Sequence, residues 1–375
     1  MTPLFQHNHD SFLTHIGWND DWEELFTKFQ GPYLPGRVCA AHKTRYEVLT
    51  GKGPLTVPIS GALRTKKEFP VVGDFVVVLF QPEQATEMIV AILPRKTSLS
   101  RGGAGESEGE QVLAANIDTV FIVTEPCHDF SIPRLERYLL ITRDSGARPV
   151  IILNKADTYD EISGKINEIQ SEFGDVVVIA LSALQQTGID QLSPYLTPGE
   201  TVIFLGSSGV GKSTLNNALI GMSLQKTGDI REDDGRGRHT TTVRHLVVLP
   251  DGAILIDTPG LREIRIWTAG KQIDELFTDV NYFASRCKFS DCTHQHEPGC
   301  AIQKAIADGS LSSERFLRYR KLVKEAAFEK NKAEIGLKRL EKQKFMGISI
   351  LAKEYREKKK LGKKASSDAG GLVEW

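Results

Sequence analysis

The segment FLGSSGVGKSTL, Phe204 to Leu215, sets Gly206, Gly211, Lys212 and Ser213 in the spacing G-x-x-x-x-G-K-[ST], after an apolar run and before helical sequence. Glycines in this pattern let backbone N–H groups curl around phosphates, the lysine reaches the outer phosphates, and the hydroxyl ligates Mg²⁺. Ser207, Ser208, Gly209, Val210 and Thr214 complete the candidate loop and the start of its helix. Asp257-Thr258-Pro259-Gly260 ends a second apolar run, AILIDT. Its aspartate suits an outer-sphere Mg²⁺ position and the Gly260 N–H a contact to a γ-phosphate, although DTPG is also good turn chemistry on its own. Asn154-Lys155-Ala156-Asp157 follows a third such run. A carboxylate there can accept from both the N1–H and the N2–H₂ of guanine, donors that adenine lacks, and a site built on such a pair rejects the other base by roughly 10⁴ to 10⁵. Alone, N-K-x-D is also a common turn. Ser182-Ala183-Leu184, after the next strand, is a weaker signal of the same kind.

The order of these motifs is unusual. In an ordinary GTPase the phosphate loop opens the domain and N-K-x-D follows roughly a hundred residues later. Here NKAD and SAL precede the loop, and DTPG follows it. The sequence of plain strand, NKAD, SAL, loop, switch and DTPG is the ordinary cyclic order entered at a different point. PYLTPGE, residues 194–200, joins the two old ends. Such a circular permutation keeps the contacts of the nucleotide site and moves only the termini.

Between Gly221 and Val243 a polar stretch ends in GRGRHTTT. One of Thr240, Thr241 and Thr242, with Thr241 the central choice, is expected to close on Mg²⁺ when a γ-phosphate is present. His239 is the nearest candidate to act on water, or else a polar loop residue. Leu261 follows DTPG where many GTPases carry a water-positioning glutamine, so slow intrinsic hydrolysis is expected. Farther on, Cys287, Cys292, His294 and Cys300 offer three thiolates and one imidazole, the closed tetrahedral set of a structural Zn²⁺ site, with His296 as a spare. Cys39 and Cys127 read as isolated, buried thiols.

These residues need elements to hold them. The chain of 375 residues is long enough for two or three domains, and no apolar run approaches the roughly 18 residues of a membrane helix. The N-terminus MTPLFQHNHD lacks the basic and apolar regions of a signal peptide, so a cytoplasmic location is expected. Residues 1–35 form a helical extension. Five short β-rich runs within 36–95 read as a small barrel, an OB-fold in form. Residues 96–113 read as a Gly/Ser/Glu linker. Strands alternating with helices over 114–278 predict a parallel α/β sheet with helices on its faces. Residues 279–330 hold the metal cluster, and 331–375 a basic helical extension. The formal net charge of −1 hides an asymmetry, because Ser313 to Lys364 carries 18 Lys plus Arg against 7 Asp plus Glu. Such an arm is either a solvated helical tail or a polyanion-binding surface.

Together, GSSGVGKST, GRGRHTTT, DTPG, NKAD and the spacing Cys-x₄-Cys-x-His-x₅-Cys resemble the ribosome small-subunit-dependent GTPases of the RsgA or YjeQ family. The resemblance spans about residues 30 to 325. It implies an N-terminal OB-fold barrel, a central circularly permuted P-loop GTPase domain and a C-terminal helical zinc-binding domain. It favours His294 over His296 as the fourth ligand of one structural Zn²⁺. It further implies a monomeric enzyme using GTP and Mg²⁺, whose slow hydrolysis is stimulated by the small ribosomal subunit and which acts late in that subunit's maturation, with ribosomal RNA as its polyanion. The alternative is an RNA-binding chaperone that holds GTP as a ligand without significant turnover.

Overall fold

The computed structural model describes residues 12–84, 86–102, 110–174, 176–227, 244–249, 251–257 and 270–335. His239, Thr241, Gly260 and Leu261, and the basic extension beyond Ile335, lie outside the described residues.

The five β-rich runs form β1 (Tyr33–Ala41), β2 (Tyr46–Thr50), β3 (Gly53–Val57), β4 (Phe75–Gln81) and β5 (Thr86–Ile92). In β2 side chains alternate between buried and half-buried, as a strand with one face on a core requires. Antiparallel ladders join β1 to β2, β2 to β3, β4 to β5 and β1 to β4. A parallel bridge between Ile59, just past β3, and Ile89 of β5 closes the ring. The result is a barrel of order β1-β2-β3-β5-β4-β1, filled by Val38, Val48, Val57, Val76, Val78 and Ile89. Helix α2 (Gly61–Lys66) connects β3 to β4, and the Ser60 hydroxyl caps it by accepting from the Leu63 N–H. Helix α1 (Asp20–Phe26), capped by Asn19, packs from outside through Trp22 on Phe75, with ring centroids 4.5 Å apart.

Residues 96–113, expected to be a linker, instead carry most of a strand pair. β6 (Ser98–Gly102) and β7 (Glu110–Ala115) form an antiparallel two-stranded sheet. Its anchors, Leu99 and Leu113, are buried in the main core, and two apolar residues among many glycines and glutamates make no visible period.

The central sheet contains β8 (Thr119–Thr124), β9 (Arg148–Leu153), β10 (Val177–Ala180), β11 (Thr201–Leu205), β12 (His245–Val248) and β13 (Ile254–Asp257). Its order is β10-β9-β8-β11-β13-β12, and every pair is parallel except β12 with β13. That exception follows from the short connection, in which the Leu249 N–H bonds the Ala253 carbonyl at 2.7 Å, since so few residues can only reverse the chain. The helices that alternate with these strands are α3 (Ile132–Ser145), α4 (Ile162–Phe173) and α5 (Lys212–Thr227), and Ile189–Tyr195 is a 3₁₀ segment containing Pro194.

Barrel and sheet meet at Ala40, which pairs with His245. Beneath this junction Arg37 is fully buried, donating to the carbonyls of Ile16, Gly73 and Asn116 and to the Thr201 hydroxyl. Burial lowers its pKa to about 10, still well above neutrality, so one cation satisfies acceptors from the N-terminal segment, the barrel and the sheet.

The C-terminal part comprises α6 (Gly270–Leu276), α7 (Thr278–Ala284), α8 (Ala301–Ala307) and α9 (Ser313–Ile335). Phe277, Phe316 and Leu322 join the main core. Charged pairs fix the docking: Arg318 to Glu136 at 2.8 Å and Glu172 at 2.6 Å, Arg315 to Glu172 at 3.1 Å, and Arg137 to Glu325 at 2.6 Å. Glu136 is nearly inaccessible, and burial raises its pKa against the opposing pull of Arg318. Desolvation offsets most of the attraction in such a pair, so the apolar contacts stabilise the docking and the charges fix its register.

Candidate functional site: a phosphate loop joined to NKAD

The parallel strands β10, β9, β8, β11 and β13 all end at one edge, the edge at which open α/β sheets bind ligands. Ser182-Ala183, Asn154 to Asp157, Glu125, the phosphate loop and Asp257 follow those strands in turn. The permuted sequence therefore delivers its motifs to one place.

Asn154 is the joint. It is buried; its Nδ2 donates to the Val210 carbonyl at 2.7 Å, and its Oδ1 accepts from the Ala183 N–H at 3.0 Å. One side chain thus ties NKAD to the phosphate loop and to SAL. Gly211 is required by the same contact, because a Cβ there would overlap the Asn154 amide nitrogen, and its φ of +95° is a left-handed conformation. Gly206 lies against the Val123 carbonyl, with no room for a side chain.

Lys212 opens α5 and folds over the loop, its Nζ donating to the carbonyls of Gly206 at 2.7 Å and Ser207 at 2.5 Å. Ser208, Gly209, Ser213 and Thr214 are exposed on the loop and first helical turn, where their N–H and hydroxyl groups can meet phosphates and Mg²⁺. Asp257, exposed at the tip of β13, accepts from Asn216 Nδ2 at 3.1 Å. Lys155 adopts φ +60° and pairs with Glu125, while Asp157 stands exposed in the following turn, open to a base. Ser182 is buried and its Oγ accepts from the Gln185 N–H, which shapes the SAL turn. Glu125, Asn216 and Arg134, whose Nη1 donates to Ser207 Oγ at 2.8 Å, belong to no motif. Only Asn216, one turn beyond Ser213, had a spacing that could have flagged it.

Cys287, Cys292, His294 and Cys300 converge with all four donor atoms within 4.8 Å of one another. The Cys287 and Cys300 sulfurs are 3.9 Å apart, and His294 Nδ1 lies 3.4 and 3.6 Å from them. Ligands at a Zn–S distance of about 2.3 Å in a tetrahedron are separated by about 3.8 Å, so the set fits one zinc ion. His296 is not part of the cluster. Cys39 is buried, and burial raises its pKa to about 11. Cys127 is exposed, contrary to expectation, because it lies in the turn between β8 and α3 rather than in a strand.

A family model described as RsgA GTPase matches residues 92–267. A relative from Methanosarcina acetivorans named small ribosomal subunit biogenesis GTPase RsgA is 52% identical over 341 residues, 91% of this chain and 92% of its own. The chain belongs to the RsgA GTPase family. It is a GTP-hydrolysing enzyme, and this family's chemistry implies GTP and Mg²⁺. A relative of the same name from Opitutus terrae is 41% identical over 350 residues, 90% of this chain and 95% of its own. Among solved structures, YjeQ from Thermotoga maritima matches with a TM-score of 0.57 at 27% identity, covering 79% of this chain and 99% of that one. YloQ, a circularly permuted GTPase, matches with a TM-score of 0.55 at 24% identity, covering 79% and 95%, a likeness of fold. A model described as ABC transporter also matches residues 189–346, a span that begins before the phosphate loop; phosphate loops are common to many nucleotide-binding families. Among the described residues no helix is long and apolar enough to cross a membrane.

Proposed function

We propose that this GTPase is a cytoplasmic, monomeric assembly factor that binds the small ribosomal subunit and its RNA late in maturation, with hydrolysis stimulated by the subunit. The observation that carries this reading is 52% identity in an alignment covering nine-tenths of a relative that bears the small-subunit biogenesis name, barrel and Cys/His region included. In the nucleotide site, Asp157 reads guanine, with Asn154, Lys155, Ser182 and Ala183 shaping the base pocket. The N–H groups of residues 206–211 hold the phosphates, Lys212 reaches the outer ones, and Ser213 ligates Mg²⁺ with Asp257 in the outer sphere. Thr241, Gly260 and His239 are assigned to Mg²⁺, the γ-phosphate and water, as the motif order suggests.

The barrel's strand order, with a helix between the third and fourth strands, supports an OB-fold, a form that offers an RNA-binding face. The basic extension supplies a second RNA surface. The Cys/His set is a structural site for one Zn²⁺ per chain. Replacing Cys292 and Cys300 together by serine is expected to abolish that stoichiometric zinc, read by elemental analysis, and to uncouple subunit binding while nucleotide binding persists. Wild-type protein containing no zinc would overturn this assignment.

Binding is tested by co-sedimentation with purified small subunits. The form loaded with a non-hydrolysable GTP analogue is expected to bind more tightly than the GDP form, and both to weaken as salt rises, as phosphate contacts do. Equal affinity of the two forms at matched salt would contradict a nucleotide-controlled assembly factor.

A further inference from the structure

Helix α3 faces the phosphate loop through Arg134, whose Nη1 donates to Ser207 Oγ at 2.8 Å. Ser207 also supplies, through its carbonyl, one of the oxygens on which Lys212 Nζ rests. The loop's lysine and the helix's arginine therefore meet on one residue. A cation in the first turn of a helix opposes the macrodipole, so local helix chemistry does not account for Arg134. What holds it is Asp129, whose carboxylate pairs with the guanidinium and whose carbonyl accepts from Thr124 Oγ1 at 3.0 Å, at the end of β8. The second carboxylate oxygen of Asp129 is buried without a hydrogen-bond partner, an arrangement retained at a cost.

The helix that carries Arg134 is itself held rigid. Glu136, on the side away from Arg134, bonds Arg318 of α9, and Arg137 bonds Glu325. Placement of a catalytic group to within a fraction of an ångström requires such a supported base.

We propose that Arg134 is a positioning residue for GTP hydrolysis, which sets the phosphate loop, and through it Lys212, by way of the Ser207 hydroxyl. The inference rests on the phosphate-loop role of Lys212; failure of that role would appear separately, as a Lys212→Ala variant that still turns over GTP.

The test is steady-state hydrolysis by full-length R134A, R134K, S207A and the R134A/S207A double variant at saturating Mg²⁺. A displaced loop costs on the order of 10- to 100-fold in turnover. Accordingly R134A is expected to lose that much in kcat while KM changes little, and R134K or free guanidinium with R134A to restore part of it. S207A, which removes a single oxygen, is expected to show a similar loss, and the double variant to be no worse than either single one, because both cut the same link. Should R134A fail to fold, S207A and R134K carry the same comparison. The proposal is overturned if kcat in S207A and R134K stays within twofold of the parent, if the two losses multiply in the double variant, or if KM alone rises.

Discussion

Replacing Asp157 by asparagine is expected to lower GTP affinity steeply and to admit xanthosine triphosphate. The Asp157 carboxylate is exposed in the turn after β9, so the change alters recognition and leaves the fold intact. Asparagine keeps one acceptor oxygen and sets its NH₂ against a guanine donor. One hydrogen bond to an ionised acceptor, worth about 1.5–3 kcal/mol, is therefore lost, and GTP binding weakens by roughly 10- to 10²-fold. Xanthine carries a carbonyl where guanine has its amine, and the asparagine amide can donate to it. Titration of both nucleotides against parent and variant gives the answer, and unchanged GTP affinity would remove Asp157 from the base site.

Lys212→Ala is expected to abolish measurable turnover. Its contacts with the Gly206 and Ser207 carbonyls are internal to the loop, so the circular dichroism spectrum and melting behaviour should stay close to those of the parent. Removing one donor aimed at developing charge costs about 10² to 10³ in kcat, which on a slow intrinsic rate leaves little to detect. Near-normal hydrolysis by this variant would place the active centre elsewhere.

Much of this site could be read from the chain because it is built from backbone geometry. A phosphate loop needs glycines at fixed offsets, and a parallel strand ends where its ligand-binding loop begins, so motif and apolar run together located Gly206, Lys212, Asn154 and Asp257. The barrel strands were equally visible, since a half-buried strand shows its period. The hairpin of β6 and β7 was not, because Leu99 and Leu113 take their meaning from the core they enter. Arg134, Asp129 and Glu125 were hidden for a related reason. Glu125 pairs with Lys155 across two strands, Asp129 acts only by holding Arg134, and Arg134 meets Ser207 only because β8 and β11 are neighbours in the sheet. Cys127 lies three residues past β8 in a turn and is exposed, so closeness to a strand in sequence does not bring burial.

GTP hydrolysis by this chain is proposed to answer to the small ribosomal subunit. It is tested most directly by measuring GTP turnover across a titration of purified small subunits, with Lys212→Ala as the control for contaminating activity. Turnover is expected to rise with subunit concentration to a plateau in the parent and to stay at background in the variant. A parent rate that is the same at every subunit concentration would rule out that coupling.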